Sequence, residues 1–222
     1  MSKFIFGARQ GVHIIDLEKT REELEKTLGV VKNIAARGGS VLFVGTKSQA
    51  KKFVREAAES CGMPHVAERW LGGTLTNFKQ VRSRVDHMVK LREQREKGEL
   101  GKYTKMERLL IDREIEDLAH KVGGIEPLKK LPELVFISDI RTDKTALMEA
   151  VACRVKVAAV CDTNVNPTNV DYVIPMNDDA IRSIELITKL VAEAVNEGKA
   201  HPVQQDVGQG AKIVKNEKNK TL

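Results

Sequence analysis

Short apolar runs alternate with longer amphipathic segments along most of this chain. The runs at 41–44, 134–137 and 157–160 contain only Val, Leu, Ile, Phe or Ala, which is typical of strands buried on both faces. A shorter run at 172–174 predicts another strand. The segments between them repeat apolar residues every three or four positions, as helices do. The pattern predicts an α/β fold, with helices on both faces of a parallel sheet.

One region departs from this alternation. From about Asn77 to Lys97 the apolar positions form a narrow heptad seam, and a second helical segment follows a glycine break at 98–101. The first seam contains Phe78, Val81, Val85 and Met88; the second contains Leu110 or Ile111, then Ile115, Leu118 and Val122. Two such seams joined by a short turn predict an antiparallel coiled-coil helical hairpin.

The hairpin also carries unusual charge. Residues 79–108 hold 10 Lys or Arg against 5 Asp or Glu, which is too polar for a core, so we expect the hairpin to protrude. The predicted organisation is a discontinuous α/β body formed by 1–76 and 123–198, a hairpin insertion at 77–122, and a flexible basic tail at 199–222.

Charge is divided unevenly along the chain, whose formal net charge is +6. Residues 1–108 hold 22 Lys or Arg against 13 Asp or Glu, whereas residues 109–198 hold 10 against 16. Such an uneven distribution of charge indicates a molecule that binds a polyanion through one face and turns another face away from it. The alternative is a solvated surface with a chance asymmetry.

Several function classes find little support. Aromatic residues make up only 4% of the chain, fewer than expected if single strands were bound mainly by base stacking. The three cysteines form no CxxC pair and the five histidines no HExxH, so we expect neither a disulfide framework nor a metal or other cofactor. The absence of a long apolar run argues against membrane association, and a reduced cytosol fits best.

The segment from Arg69 to Phe78 is the most informative one. It places Gly72 and Gly73, two threonines and an asparagine between two aromatic residues. We expect Trp70 and Phe78 to anchor this loop through their apolar sides. Its hydroxyl, amide and arginine groups would face outward, and its glycines would permit close approach to a sugar-phosphate chain.

The strand ends leave an enzymatic alternative open. Gly45-Thr46-Lys47-Ser48 follows a buried strand but lacks the GxxxxGK[ST] spacing of a nucleotide loop. Asp139, Asp143 and Asp162 follow later strands, where doubly wound enzymes bind ligands. A nucleotide-dependent or phosphoacceptor enzyme is therefore the alternative, and turn and capping residues the simpler interpretation. Residues 177–179 look like a helix cap.

Longer motifs carry a family resemblance. The segments that carry it are, in order, 4–9 (FIFGAR), 13–20 (HIIDLEKT), 42–47 (LFVGTK), 69–77 (RWLGGTLTN), 123–125 (GGI), 162–164 (DTN) and 174–182 (IPMNDDAIR). Through these segments the sequence resembles the bacterial small-subunit ribosomal protein S2 family from about Lys3 to Gly198.

The resemblance implies a flavodoxin-like body, a protruding coiled-coil hairpin and no enzymatic activity. It also implies a structural constituent of the small ribosomal subunit that supports translation in the cytoplasm. The implied partners are small-subunit ribosomal RNA and neighbouring ribosomal proteins, among them the messenger-binding ribosomal protein S one; no homo-oligomer is expected.

Two departures from the family limit what the resemblance carries over. Family members usually have a further Gly-His-rich segment before the first strand, so no RNA contact made there is carried over. Asn166-Pro167 stands where Asp-Pro is usual. Within this sequence the residues expected to contact RNA are Lys3, Arg9, Lys47, Lys51, Arg69, Gly73, Thr74, Thr76, Asn77, Arg82, Arg84, Arg92 and Arg95.

Overall fold

The computed structural model describes residues 1–202 and contains a five-stranded parallel sheet. Most of the predicted basic tail, residues 203–222, lies outside the described residues. A separate two-stranded antiparallel sheet precedes the main one. The strands are β1 (Ile5–Arg9), β2 (Val12–Ile15), β3 (Val41–Val44), β4 (His65–Val66), β5 (Leu134–Ile137), β6 (Lys156–Cys161) and β7 (Tyr172–Pro175).

The parallel strands lie in the order β4-β3-β5-β6-β7. This is a doubly wound order, in which the chain moves from the centre to one edge and then crosses to the other side, as in flavodoxin-like folds. Each pairing is in register, for example Val44 with Ile137 and Ile137 with Ala159. The predicted mixed α/β fold with a parallel sheet is therefore confirmed.

Six α-helices connect these strands in the described part of the chain. They are α1 (Leu17–Ala36), α2 (Lys51–Ser60), α3 (Phe78–Glu96), α4 (Lys105–Val122), α5 (Lys144–Ala152) and α6 (Ile181–Ala200). Asp16 caps α1 by accepting hydrogen bonds from the N–H groups of Glu18 and Lys19. Thr104 and Glu107 form a reciprocal capping box at the start of α4.

Alternate residues of each central strand enter two different cores. Val41 and Phe43 face one core together with α1, α2 and α6. Leu42 and Val44 face the other, which is covered by α5, the 70–75 loop and parts of α3 and α4. Because both faces are covered, every residue of β3 and β5 is buried.

Part of the helical pair belongs to this second core. Val81, Val85, Met88 and Val122 are all buried among the residues of that core. The expectation that this segment is too polar to be core was therefore wrong for the half of the helical pair that contains these residues (the inner half), because its apolar seam joins the core on one face of the sheet. In contrast, every residue from 101 to 110 is exposed.

Two methionines on these helices provide a matched test of this arrangement. Met88 is fully buried, whereas Met106 is 62% exposed. We expect Met88→Ala to lower the free energy of unfolding by about 3 kcal/mol, because the truncation leaves a cavity. Met106→Ala should change it by less than about 0.5 kcal/mol. Denaturant unfolding of the full chain measures both, and equal effects would contradict a buried inner half.

Candidate nucleic-acid interface

A buried carboxylate organises the glycine–threonine loop, residues 69–77. Glu149 of α5 is only 8% exposed. Its Oε1 accepts hydrogen bonds from Trp70 Nε1 (3.0 Å) and the Gly73 N–H (2.8 Å). Its Oε2 accepts from the N–H groups of Leu75 (2.9 Å) and Thr76 (3.2 Å) and from Thr76 Oγ1 (3.3 Å). The loop therefore wraps around an anion that belongs to the protein itself.

These donors keep Glu149 ionised. Burial alone would raise the pKa of Glu149, but the hydrogen bonds from Leu75, Trp70, Gly73 and Thr76 outweigh it and hold the pKa below its ordinary value. Gly73 permits the turn, because its φ of +91° is unfavourable for any residue with a Cβ.

The loop presents fewer outward groups than the sequence suggests. Trp70 is buried and Phe78 is partly buried against the same core, so the expected apolar anchors are confirmed. Thr74, however, is buried and its hydroxyl donates to the Leu71 carbonyl (2.6 Å). The side chains of Arg69 and Asn77 remain exposed, and neither makes a hydrogen bond or ion pair with another described residue.

A cluster of opposite charges closes the carboxyl edge of the sheet. The Lys47 ammonium lies 3.3 Å from Asp139, 2.9 Å from Asp178 and 2.8 Å from Asp179. Burial alone would lower the pKa of Lys47, but these carboxylates raise it well above its ordinary value. Lys47 was expected to meet RNA; the structure instead directs it into the protein. The sequence could not show this, because the carboxylate partners of Lys47 lie about 90 or more residues away from it in the chain.

The two buried aspartates beside Lys47 differ in their protonation equilibria. Burial would raise the pKa of Asp139, but hydrogen bonds from Thr142 and Arg141 and the charge of Lys47 hold it below its usual range. Burial raises the pKa of Asp178, and this effect exceeds the stabilisation by Lys47.

Two further segments at this edge were candidates for a site. Asp143 accepts hydrogen bonds from the N–H and hydroxyl of Thr46. The expected helix cap at 177–179 was wrong: α6 begins after Ala180, and Asp178 bonds Lys47 instead. Within residues 1–202, no group of three or more His, Cys, Asp or Glu side chains is arranged to hold a metal ion.

Most of the predicted cations on α3 are paired within the chain. Arg92 lies 3.0 Å from Glu126, and Arg95 lies 3.6 Å from Asp112 of α4. Arg82 pairs with Asp86 and also donates to the carbonyls of Glu126 and Leu128. These residues fasten α3 to its neighbours. Lys51 is similar, since it pairs with Glu68 at 2.9 Å.

Other cations have no carboxylate partner in the described part of the chain. Those that were predicted to contact RNA are the exposed Lys3, Arg9, Arg69 and Arg84. Two exposed lysines of α3 that were not predicted, Lys79 and Lys90, belong to the same group. Lys79 and Lys90 are three helical turns apart on the face of α3 opposite its buried seam. They lie about 16 Å apart along the helix axis.

The sequence held signals for the residues that were missed. The spacing of Lys79 and Lys90, opposite Val81 and Val85, marks an outward helical face. Glu149 is the only acidic residue of α5 and stands beside the buried Ala146 and Ala150 at helical spacing. A carboxylate on the buried face of a helix requires hydrogen-bond donors. The glycine–threonine loop, with its N–H and hydroxyl groups, was a source of such donors.

A cavity beside the loop has mixed charge. Its volume is about 540 Å³, and it lies between α2, α4 and the segment 65–69. Arg55, Arg69, Arg92 and Lys121 line it together with four glutamates. Since these charges balance, the cavity lacks the net positive potential that favours a polyanion.

The fold and these sites define a doubly wound α/β protein. Its own carboxylates occupy the carboxyl edge of the sheet and accept the hydrogen bonds of the glycine–threonine loop. Residues 1–198 match the family model described as ribosomal protein S2. The chain belongs to the ribosomal protein S2 family.

Individual relatives agree with this assignment. The small ribosomal subunit protein uS2 of Campylobacter concisus (strain 13826) is 46% identical over 211 residues, which cover 95% of this chain and 80% of that protein. The uS2 of Campylobacter fetus subsp. fetus (strain 82-40) is 44% identical over 222 residues, covering 100% and 86%. The uS2 of Sulfurimonas denitrificans (strain ATCC 33889 / DSM 1251) is 46% identical over 200 residues, covering 90% and 77%.

The sheet-edge cluster predicts a pH-dependent loss of stability in Lys47→Gln. At neutral pH the variant leaves Asp139 and Asp178 without their cation, so we expect the free energy of unfolding to fall by roughly 2 to 3 kcal/mol. Asp139 has a lowered pKa, so its stabilisation is present above its unfolded pKa and is lost as pH falls through the folded value.

The deficit of Lys47→Gln should therefore shrink in acid, where the aspartates are protonated and need no cation. Urea unfolding at pH 7 and at pH 3 measures the difference. A deficit independent of pH would show that the ion cluster does not stabilise the fold.

Proposed function

We propose that this chain is a structural constituent of the small ribosomal subunit and binds small-subunit ribosomal RNA. Membership of the S2 family supports this role, and the relatives above are named as small ribosomal subunit proteins. The single observation that carries the RNA-binding part is the set of exposed cations without intramolecular partners around the loop and on α3. Phosphate contacts of this kind fix the position of a protein on folded RNA.

In this proposal the unpaired cations contact RNA and the paired cations stabilise the fold. Arg69, Lys79, Arg84 and Lys90, with Asn77 at the start of α3, form the RNA-facing surface. Lys3 and Arg9 of the N-terminal segment are exposed in the same way and would make phosphate contacts of their own. Arg82, Arg92 and Arg95 instead hold the helices in place. The positive end of the α3 dipole, next to Asn77, adds to the attraction for phosphate.

The proposal also assigns a structural role to the helices α3 and α4. We infer that α3 and α4 form an antiparallel coiled-coil hairpin comprising residues 77–122, inserted in a body formed by 1–76 and 123–198. His87 and Glu114, 3.1 Å apart, join the two helices, as do Arg95 and Asp112. The exposed outer half, including residues 101–110, would carry contacts to RNA or to neighbouring ribosomal proteins, the protein S one among them.

The enzymatic alternative is not favoured. A phosphoacceptor needs an accessible aspartate, but Asp139 and Asp143 are buried and hydrogen-bonded, and Asp139 is also paired with Lys47. None of the helices in residues 1–202 has the length and apolar composition of a membrane span.

From its family membership, we propose that the chain acts in the cytoplasm as part of the ribosome.

Co-sedimentation tests the assembly claim. The tagged full chain, expressed in a bacterium, should sediment with small ribosomal subunits in a sucrose gradient, because its family fold and cationic surface would be incorporated there. A nucleotide-binding protein of similar size serves as the control and should remain at the top. Recovery of this chain only at the top of the gradient would refute the assignment.

A pair of double variants on α3 tests the division between free and paired cations. Lys79→Gln with Lys90→Gln and Arg92→Gln with Arg95→Gln remove the same charge from the same helix. We expect the first pair to weaken binding of small-subunit ribosomal RNA and to reduce the log–log salt slope by about 1.4 to 1.8, since each phosphate contact contributes about 0.7 to 0.9.

The second pair should leave the salt slope near that of the unmodified chain and lower the stability instead. Filter binding between low and moderate salt gives both slopes, and circular dichroism confirms that both proteins are folded. Equal slopes for the two pairs would show that general charge, rather than the unpaired face, governs binding.

A further inference from the structure

One side chain from the body controls the conformation of the glycine–threonine loop. Glu149 lies on α5, yet its five donors come from residues 70 to 76 of a distant segment. Hydrogen bonds to a charged acceptor are among the strongest in proteins. Apolar anchoring by Trp70 holds one end of the loop but cannot orient a backbone that contains two consecutive glycines.

We propose that Glu149 is a positioning residue for RNA binding. It holds the loop so that Arg69 and Asn77, which flank the five donors, face the RNA, while it makes no contact with RNA itself. The proposal rests on the proposed function. It also assigns a role to the N–H groups of Gly73, Leu75 and Thr76: they bind the internal carboxylate, so the loop recognises RNA through its flanking side chains and not through these amides.

The sign of the effect separates positioning from general electrostatics. Glu149→Gln removes one negative charge, which by attraction alone would tighten binding to a polyanion. A glutamine amide also turns its NH₂ group towards N–H donors that need an acceptor, so the loop loses part of its restraint. If Glu149 positions the loop, the variant binds RNA more weakly in spite of its higher positive charge.

The chain contains its own reporter of this contact. Trp70 is the only tryptophan, and its indole N–H donates to Glu149. Loss of that hydrogen bond and entry of water should shift the tryptophan emission to longer wavelength. This measurement needs no RNA and follows the loop directly.

Three full-length variants form the experiment. Glu149→Gln is the test, and Glu185→Gln is the control with the same charge change at an exposed site of α6. Glu149→Asp keeps the charge but withdraws the carboxylate by about 1.5 Å, the length of one C–C bond. Binding to small-subunit ribosomal RNA, its salt slope, and Trp70 emission are measured at a temperature at which thermal unfolding shows each variant folded.

We expect Glu149→Gln to bind about tenfold more weakly, with red-shifted emission and a salt slope reduced by about one phosphate contact. Glu149→Asp should be intermediate, and it replaces Glu149→Gln as the test if the latter does not fold. Glu185→Gln should bind as tightly as the unmodified chain or slightly more tightly.

Two results would overturn the positioning role while leaving the proposed function intact. One is Glu149→Gln binding as tightly as Glu185→Gln with a shifted emission; the other is weaker binding with unchanged emission, since the loop would then not have moved. Failure of the unmodified chain to bind the RNA at all would refute the proposed function and this proposal together.

Discussion

A carboxylate removed from water must find enough hydrogen-bond donors to remain charged, and Glu149 meets this requirement by gathering a loop around itself. The helix that carries Glu149 packs on β6, so the loop is tied to the sheet. α3 begins directly after the loop, and its buried seam then joins the core on the same face of the sheet. One satisfied charge therefore connects the loop and the start of α3 to the sheet.

The sheet edge solves the same problem in another way. There the buried aspartates receive a lysine ammonium in addition to backbone and hydroxyl donors. Doubly wound proteins bind ligands at this edge because the diverging loops leave a crevice. Here Lys47 and its carboxylates occupy that crevice. The architecture that many enzymes use for nucleotides is thus retained as a scaffold, and the RNA-binding surface that we propose lies elsewhere, on the loop and the outer face of α3.

Periodicity was sufficient for most elements of the fold, but not for β4, whose two residues are too few to show a repeat. The uninterrupted apolar runs at β3 and β5 could be assigned because both faces of a parallel sheet are buried. The seam of α3 was recognised as well, but its burial against the sheet was not, because periodicity shows that a face is apolar without showing what covers it. Charge posed a harder problem. Whether Lys47 or Arg92 is free depends on partners distant in sequence, and a count of basic residues treats paired and unpaired cations alike.

The order of the strands has a consequence for synthesis of the chain. β3 pairs with β5, although roughly 90 residues, including α3 and α4, separate Val44 from Ile137. Neither core can close until β5 has left the ribosome, so the apolar seam of α3 is made well before the surface that buries it. Long-range pairing of this kind slows folding and exposes intermediates to aggregation. A nascent chain of this topology therefore gains most from early chaperone contact while its first 130 residues are emerging.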